Sequence, residues 1–203
     1  MKTTMKWTLL GAALLLLIPA IATAVVEKKT GTEYPDEIEI GDETGSMKLV
    51  ATGVGLREKT FLKVDVYTIV SYVPAGSELG EDAALGVVML DEPKRLQLDL
   101  RRGFSREKLI NAFIEGIHAN YDDTSAFEAD MEAFQGYFTR DAEENDRIIF
   151  HYCPERGLTT ELNGEKVGTI ANKEFAQALW TVWFGKKPAN KDLRKALLAE
   201  VGS

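Results

Sequence analysis

The sequence predicts an α+β fold, a sheet with helices packed on one side, on three observations. Strand-like stretches come first and then recur around helical ones without regular strand–helix alternation, which argues against a doubly wound parallel sheet. The run 94–100, KRLQLDL, alternates Leu96, Leu98 and Leu100 with Arg95, Gln97 and Asp99, the period of a strand with one buried face. Leu109, Ile110, Phe113, Ile114 and Ile117 then recur at helical spacing.

Taken in order, residues 1–24 have the layout of a secretory signal. Lys2 and Lys6 precede an apolar stretch, and Ala22-Thr23-Ala24 is a small-x-small cleavage site. Cleavage is expected after Ala24, giving a periplasmic or secreted protein. No later stretch is long and apolar enough to span a bilayer.

Residues 25–46 read as a polar extension in which only Ile38 and Ile40 alternate, as a short edge strand would. Residues 47–73 have strand composition, ended by Pro74-Ala75-Gly76. After the strand at 94–100, Ser105 can cap the first helix, with Glu107 in its first turn. A second helix carries Phe127, Met131, Phe134 and Phe138. RIIFHYC and TTELNGEKVGTI are strands around turns, and Asn163-Gly164 is a strong hairpin signal. Asn172 can cap a helix bearing Phe175, Leu179, Val182 and Trp183, and Asn190 one bearing Leu193, Leu197 and Val201. The single domain is thus 47–203, behind the 25–46 extension.

Charge excludes some partners. The chain has a net charge of −8, and without Lys2 and Lys6 it has 22 basic against 32 acidic residues, a balance of −10. Nucleic acid is not an expected partner. The lone Cys153 follows the apolar run IIFHY and reads as a buried strand cysteine. His118 and His151 are not at ligand spacing, so no metal is expected, and no cofactor. Gly53-Val54-Gly55 lacks the third glycine or the Lys-Ser/Thr of a phosphate loop. Asp122-Asp123 and Glu143-Glu144 read as solvated acids.

The stretch GVGLREKTFL, 53–62, is the most informative. In a regular strand Arg57 shares a face with Ala51, Gly53 and Gly55, which leaves that face nearly bare. Glycine inside a strand often marks close approach of a ligand or another backbone. One reading is an apolar slot ending in a guanidinium, suited to an amphipathic carboxylate. The other is a helix packed on the bare face, with Arg57 paired to Glu58, Asp65 or solvent.

Three segments carry a family resemblance: GVGLREKTFLKVDVYTIVSYV, KRLQLDLRRGFSREKLINAFIEGI and NGEKVGTIANKEFAQALWTVWFGKKPANKDLRKALL. In this order they resemble the chalcone isomerase superfamily, most closely its bacterial exported branch, over about 47–199. The resemblance implies an open-faced antiparallel sheet with helices packed on one face and a ligand cleft between. It implies that Arg57 lines that cleft and, as in related plastid fatty-acid-binding proteins, holds a carboxylate together with a tyrosine. Tyr67 matches that tyrosine, with Asp65 as a competing alignment and a cross-strand aromatic as the plainer role.

The same alignment puts Ser105 where the enzymes have a catalytic tyrosine, Ala112 where they have an asparagine and Val182 where they have a threonine or serine. Alanine and valine donate no hydrogen bond, so the implied cleft is that of a binding protein. The expected ligand is a small amphipathic acid, a fatty acid or a phenolic. Phe113, Ile114, Phe175, Leu179 and Val182 are its expected walls. The alternatives are a chalcone–flavanone isomerase, an intramolecular lyase relying on Arg57, and an envelope interaction module, which an exposed Trp180 would favour.

Overall fold

The computed structural model describes residues 23–42, 45–59 and 64–201. Residues 1–22, nearly all of the expected leader, and residues 60–63, where the turn after Arg57 was sought, lie outside the described residues.

Seven strands form one antiparallel sheet in chain order: β3 (Glu37–Asp42), β4 (Gly45–Lys59), β5 (Val64–Pro74), β6 (Lys94–Leu100), β7 (Arg147–Cys153), β8 (Gly157–Leu162) and β9 (Glu165–Ile170). Two short strands, β1 (Ala24–Glu27) and β2 (Thr32–Pro35), pair as a separate hairpin. The polar extension therefore contributes this hairpin as well as the edge strand β3. Helices α1 (Ala83–Met89), α2 (Arg106–Asn120), α3 (Glu128–Gly136), α4 (Lys173–Phe184) and α5 (Lys191–Ala196) complete the order. The caps are where the sequence puts them: Ser105, Asn172 and Asn190 accept from backbone N–H groups of α2, α4 and α5.

One large core lies between the sheet and the helices. Leu96, Leu98 and Leu100 of β6 meet Phe113 and Ile117 of α2 and Phe175, Leu179 and Trp183 of α4 there. Phe113 alone has ring neighbours at Phe134, Phe138, Phe150 and Trp183, with centroids 5.6 to 6.1 Å away. The second helix is shorter than its apolar spacing suggests. Phe127 lies in a single 3-10 turn (Ser125–Phe127) and Phe138 beyond α3, both buried. Helix α5 likewise stops at Ala196, before Val201, which is exposed.

Helix α1 is absent from the sequence reading because AALGVVM is short and lacks a polar face, although Asp82 directly before it is a cap and accepts from the Leu85 N–H at 3.1 Å. Its C-terminal carbonyls are met by Lys94, whose Nζ donates to Val87, Val88 and Leu90 at 2.8, 2.8 and 3.0 Å. Lys94 is 1% exposed and lies over the rings of Tyr152 and Trp180. Burial pushes its pKa down to about 7. It is in phase with Leu96, so the same alternation that buries the leucines turns this lysine inward. Trp180 is fully buried and offers no surface for a partner.

The other sheet face is partly covered by the N-terminal hairpin. Tyr34 shares a hydrogen bond with Thr68 at 2.7 Å and packs with Leu49, Ala51, Val70 and Tyr72. The assignment of Ala51 to the face of Gly53, Gly55 and Arg57 is corrected here. A bulge between Ala51 and Gly53 inserts Thr52, whose hydroxyl donates to the Leu197 carbonyl at 2.7 Å. The extra residue reverses the alternation, so Ala51 faces the hairpin while Gly53 and Gly55 face the helices.

His151 also lies on this outer face, across from Arg95. Burial, then the charges of Arg95 and Arg156, hold its pKa down at about 4. An unfolded chain with an ordinary histidine binds the proton first, so stability is lost as pH falls from about 6.5 to about 4. The loss is expected to reach about 2 to 3 kcal/mol. Urea midpoints at about pH 7 and pH 4.5 measure it, and the drop should shrink in His151→Gln. An equal drop in both proteins would assign the acid sensitivity to other groups.

Candidate functional site

Arg57 and Tyr67 stand directly across from each other on β4 and β5. The hairpin register thereby brings together the two polar residues that the sequence singled out, both half-buried. Tyr67 continues the phase of Ile69 onto the helical side and packs on the core. There its hydroxyl accepts from Trp183 Nε1 at 2.9 Å. Burial pushes the Tyr67 phenol up to about 12, against the opposing effects of the Trp183 bond and the Arg57 charge. At neutral pH it is protonated and keeps its own O–H to donate.

Arg57 donates from Nη1 to the Glu58 carbonyl at 2.5 Å. Neither nearby acid neutralises it. Lys29, in the turn of the β1–β2 hairpin, pairs with Glu58 at 2.6 Å and Asp65 at 2.7 Å. Among the described residues no carboxylate pairs with Arg57. The competing residue Asp65 is thus engaged by Lys29, while Tyr67 is the one that faces Arg57.

The bare glycine face holds a helix. A side chain at Gly53 would meet the Ala196 carbonyl oxygen at 2.1 Å, and one at Gly55 would meet Leu193 Cδ1 at 2.6 Å. Helix α5 therefore lies where a slot leading to Arg57 would run, and the glycines allow a close helix–strand approach.

Of the expected walls, Phe113 joins the polar pair through Trp183, at 6.1 Å between ring centroids. Ile114 is half-buried on the same helix. Phe175, Leu179 and Val182 are in the packed core. Phe175 packs its ring at a tilt against Phe127 and Phe134, eight residues and about 12 Å along α4 from Trp183. Val182 sits against Gly116 where α2 and α4 cross.

Ser105 Oγ is used in capping α2, accepting from the Lys108 N–H at 3.4 Å. Ala112 is exposed on α2, so the alignment that puts it in a cleft is corrected: the buried stripe runs through Leu109, Phe113 and Ile117. Trp183 is the site residue that sequence reasoning took only as core. Its helical phase signalled burial, but which polar atom its indole N–H would reach depends on tertiary packing. Among the described residues no group of three or more His, Cys, Asp or Glu side chains could hold a metal ion.

This geometry has known counterparts in fold. The structure resembles that of a fatty-acid binding protein from Arabidopsis thaliana, with a TM-score of 0.68 and 23% identity, over 87% of this chain and 96% of that one. No curated protein sequence matches the chain. The sequence profile of the chalcone isomerase-like family matches residues 26–199, from the first strand through the turn after α5. With the meander, the helical layer and this match in agreement, the chain belongs to the chalcone isomerase-like family.

Proposed function

We propose that the protein is an exported, non-catalytic member of its family that binds a small amphipathic carboxylate, such as a fatty acid, with Arg57 as the anchor and Tyr67 as a second donor. The observation that carries this reading is a half-buried guanidinium free of any carboxylate among the described residues, with both adjacent acids held by Lys29. Such a group favours an anion, and a carboxylate can take two parallel hydrogen bonds from it. The solved fatty-acid binding protein of the same fold supports the ligand class.

The non-catalytic reading is supported by what surrounds the pair. Ser105 is a helix cap, Ala112 is exposed and Val182 is aliphatic. A phenol with its pKa near 12 acts as a donor at neutral pH and not as a base. Phe113 and Ile114, with Phe175, Leu179 and Val182 deeper in, are the proposed walls. Residues 1–24 are the proposed leader, so the intact mass of the purified protein should start at Val25; an uncleaved mass would remove export by this route.

Dodecanoate should bind the wild type and lose affinity by about 10- to 100-fold in Arg57→Ala, measured by calorimetry. Equal affinities would remove the anchor. A chalcone should cyclise at its spontaneous rate in the presence of the protein. A faster rate abolished in Arg57→Ala would make the protein an intramolecular lyase instead.

A further inference from the structure

A groove of about 410 Å³ lies on the sheet face opposite the helices, between the β1–β2 hairpin and strands β5, β6 and β7. Its volume is in the range of small-molecule sites. Tyr34, Pro35, Ile38 and Tyr72 give it apolar walls, and Arg95, Gln97 and Asp99 from alternate positions of β6 line it.

Most of the polar groups here are already satisfied. The Tyr34 hydroxyl bonds Thr68, and the Tyr72 hydroxyl donates to the Pro35 carbonyl at 2.8 Å. Asp99 accepts from Gln97 Nε2 at 3.0 Å and from Arg147 Nε at 2.6 Å. Arg95 is the exception. Its Nε is shielded from solvent and has no hydrogen-bond partner. Burial also lowers its pKa, partly offset by the field of Glu161. Across from it on β7, His151 Nε2 is likewise shielded and unpartnered.

Among the described residues Arg95 also has no ion-pair partner. Its Nε is out of a ligand's reach, but the part of the side chain that lines the groove carries the same charge, and an acceptor brought there offsets the cost of its burial. Arg101 and Arg147 also line the groove, with Arg147 paired to Asp99, so the lining favours an anion, while Glu33 and Asp99 beside them favour a single charge over a polyanion. The apolar walls call for more than a bare ion. We propose that this groove is a second binding site, for a small organic monocarboxylate whose carboxylate meets Arg95 and whose apolar body lies against Tyr34 and Tyr72. It is independent of the Arg57 site, which is on the other face of the sheet.

The probe is 3-phenylpropanoate, titrated into the purified protein by calorimetry and followed by NMR on the ring signals of the two histidines, of which His151 neighbours Arg95. Binding should shift His151 and leave His118 unmoved. Arg95→Gln should weaken it by about tenfold or more, whereas Arg57→Ala should leave it unchanged. The uncharged 3-phenylpropanamide should also bind about tenfold more weakly. Gln97→Glu, which offers Arg95 an internal carboxylate on the same strand face, should block the site without removing the arginine.

Full affinity in both Arg95→Gln and Gln97→Glu would overturn the proposal. So would inorganic phosphate shifting His151 as strongly as the organic acid, since the walls would then contribute nothing. Loss of binding in Arg57→Ala alone would assign the probe to the other face and overturn this site while leaving the Arg57 reading intact.

Discussion

Gly53→Ala is expected to lose more than about 3 kcal/mol of stability, because the new methyl group would land on the backbone of the α5 end. Its Cβ would lie 2.1 Å from the Ala196 carbonyl oxygen and 2.7 Å from the Leu197 carbonyl carbon. Backbone atoms there cannot rotate away as a side-chain tip would. The residue also has φ +153, a conformation that L side chains rarely adopt.

Gly76→Ala separates the two effects, since Gly76 has φ +81 and open space around its missing Cβ. It carries backbone strain alone, at a cost of about 1 kcal/mol. Urea unfolding of both variants against the wild type makes the measurement. Equal losses would mean that α5 gives way at no cost and that its seat on β4 is not what the glycine serves. A large excess at Gly53 would also weaken carboxylate binding, because β4 carries Arg57 four residues further on.

This glycine shows where sequence reasoning stops. Its presence in a strand signalled close approach, and two occupants were open, a ligand or a helix. Choosing between them needs to know where residues about 140 positions later return, and Leu193 to Leu197 do so onto β4. Local signals fared better. Ser105, Asn172 and Asn190 act through groups two or three residues away, and Leu96, Leu98 and Leu100 through the strand's own pleat.

The Ala51 phase was lost for a related reason. A period of two survives only while the pairing is regular, and nothing in VATGVG identifies Thr52 as the inserted residue. The hairpin of β1 and β2 was hidden because its strands are only four residues long and bury only Tyr34. The candidate site was legible as Arg57 and, through family resemblance, Tyr67. Its electrostatics were not, because Lys29 reaches Glu58 and Asp65 from 29 and 36 residues away.

Trp183→Ala is expected to cost about 3 to 5 kcal/mol, the range for deleting a large buried ring. Trp183 is 1% exposed, and its ring has centroid distances of 6.1 Å to Phe113 and 6.0 Å to Phe150. That loss alone would show only that the ring fills the core. Trp183→Phe keeps much of the bulk and removes the N–H, which takes the donor from the Tyr67 oxygen. It should cost stability for the smaller ring plus about 1 kcal/mol for the bond. In a Tyr67→Phe background that last part should vanish, so a double-mutant cycle should return a coupling of about 1 kcal/mol.

Binding tells a positioning role from a structural one. If the indole fixes the Tyr67 hydroxyl so that its proton points toward the carboxylate held by Arg57, Trp183→Phe should weaken dodecanoate binding several-fold at a temperature where the variant remains folded. Tyr67→Phe should weaken it about as much, and the double variant no further. Undiminished affinity in Trp183→Phe, or zero coupling in the stability cycle, would reduce Trp183 to a core residue and leave Arg57 to hold the acid without an oriented partner.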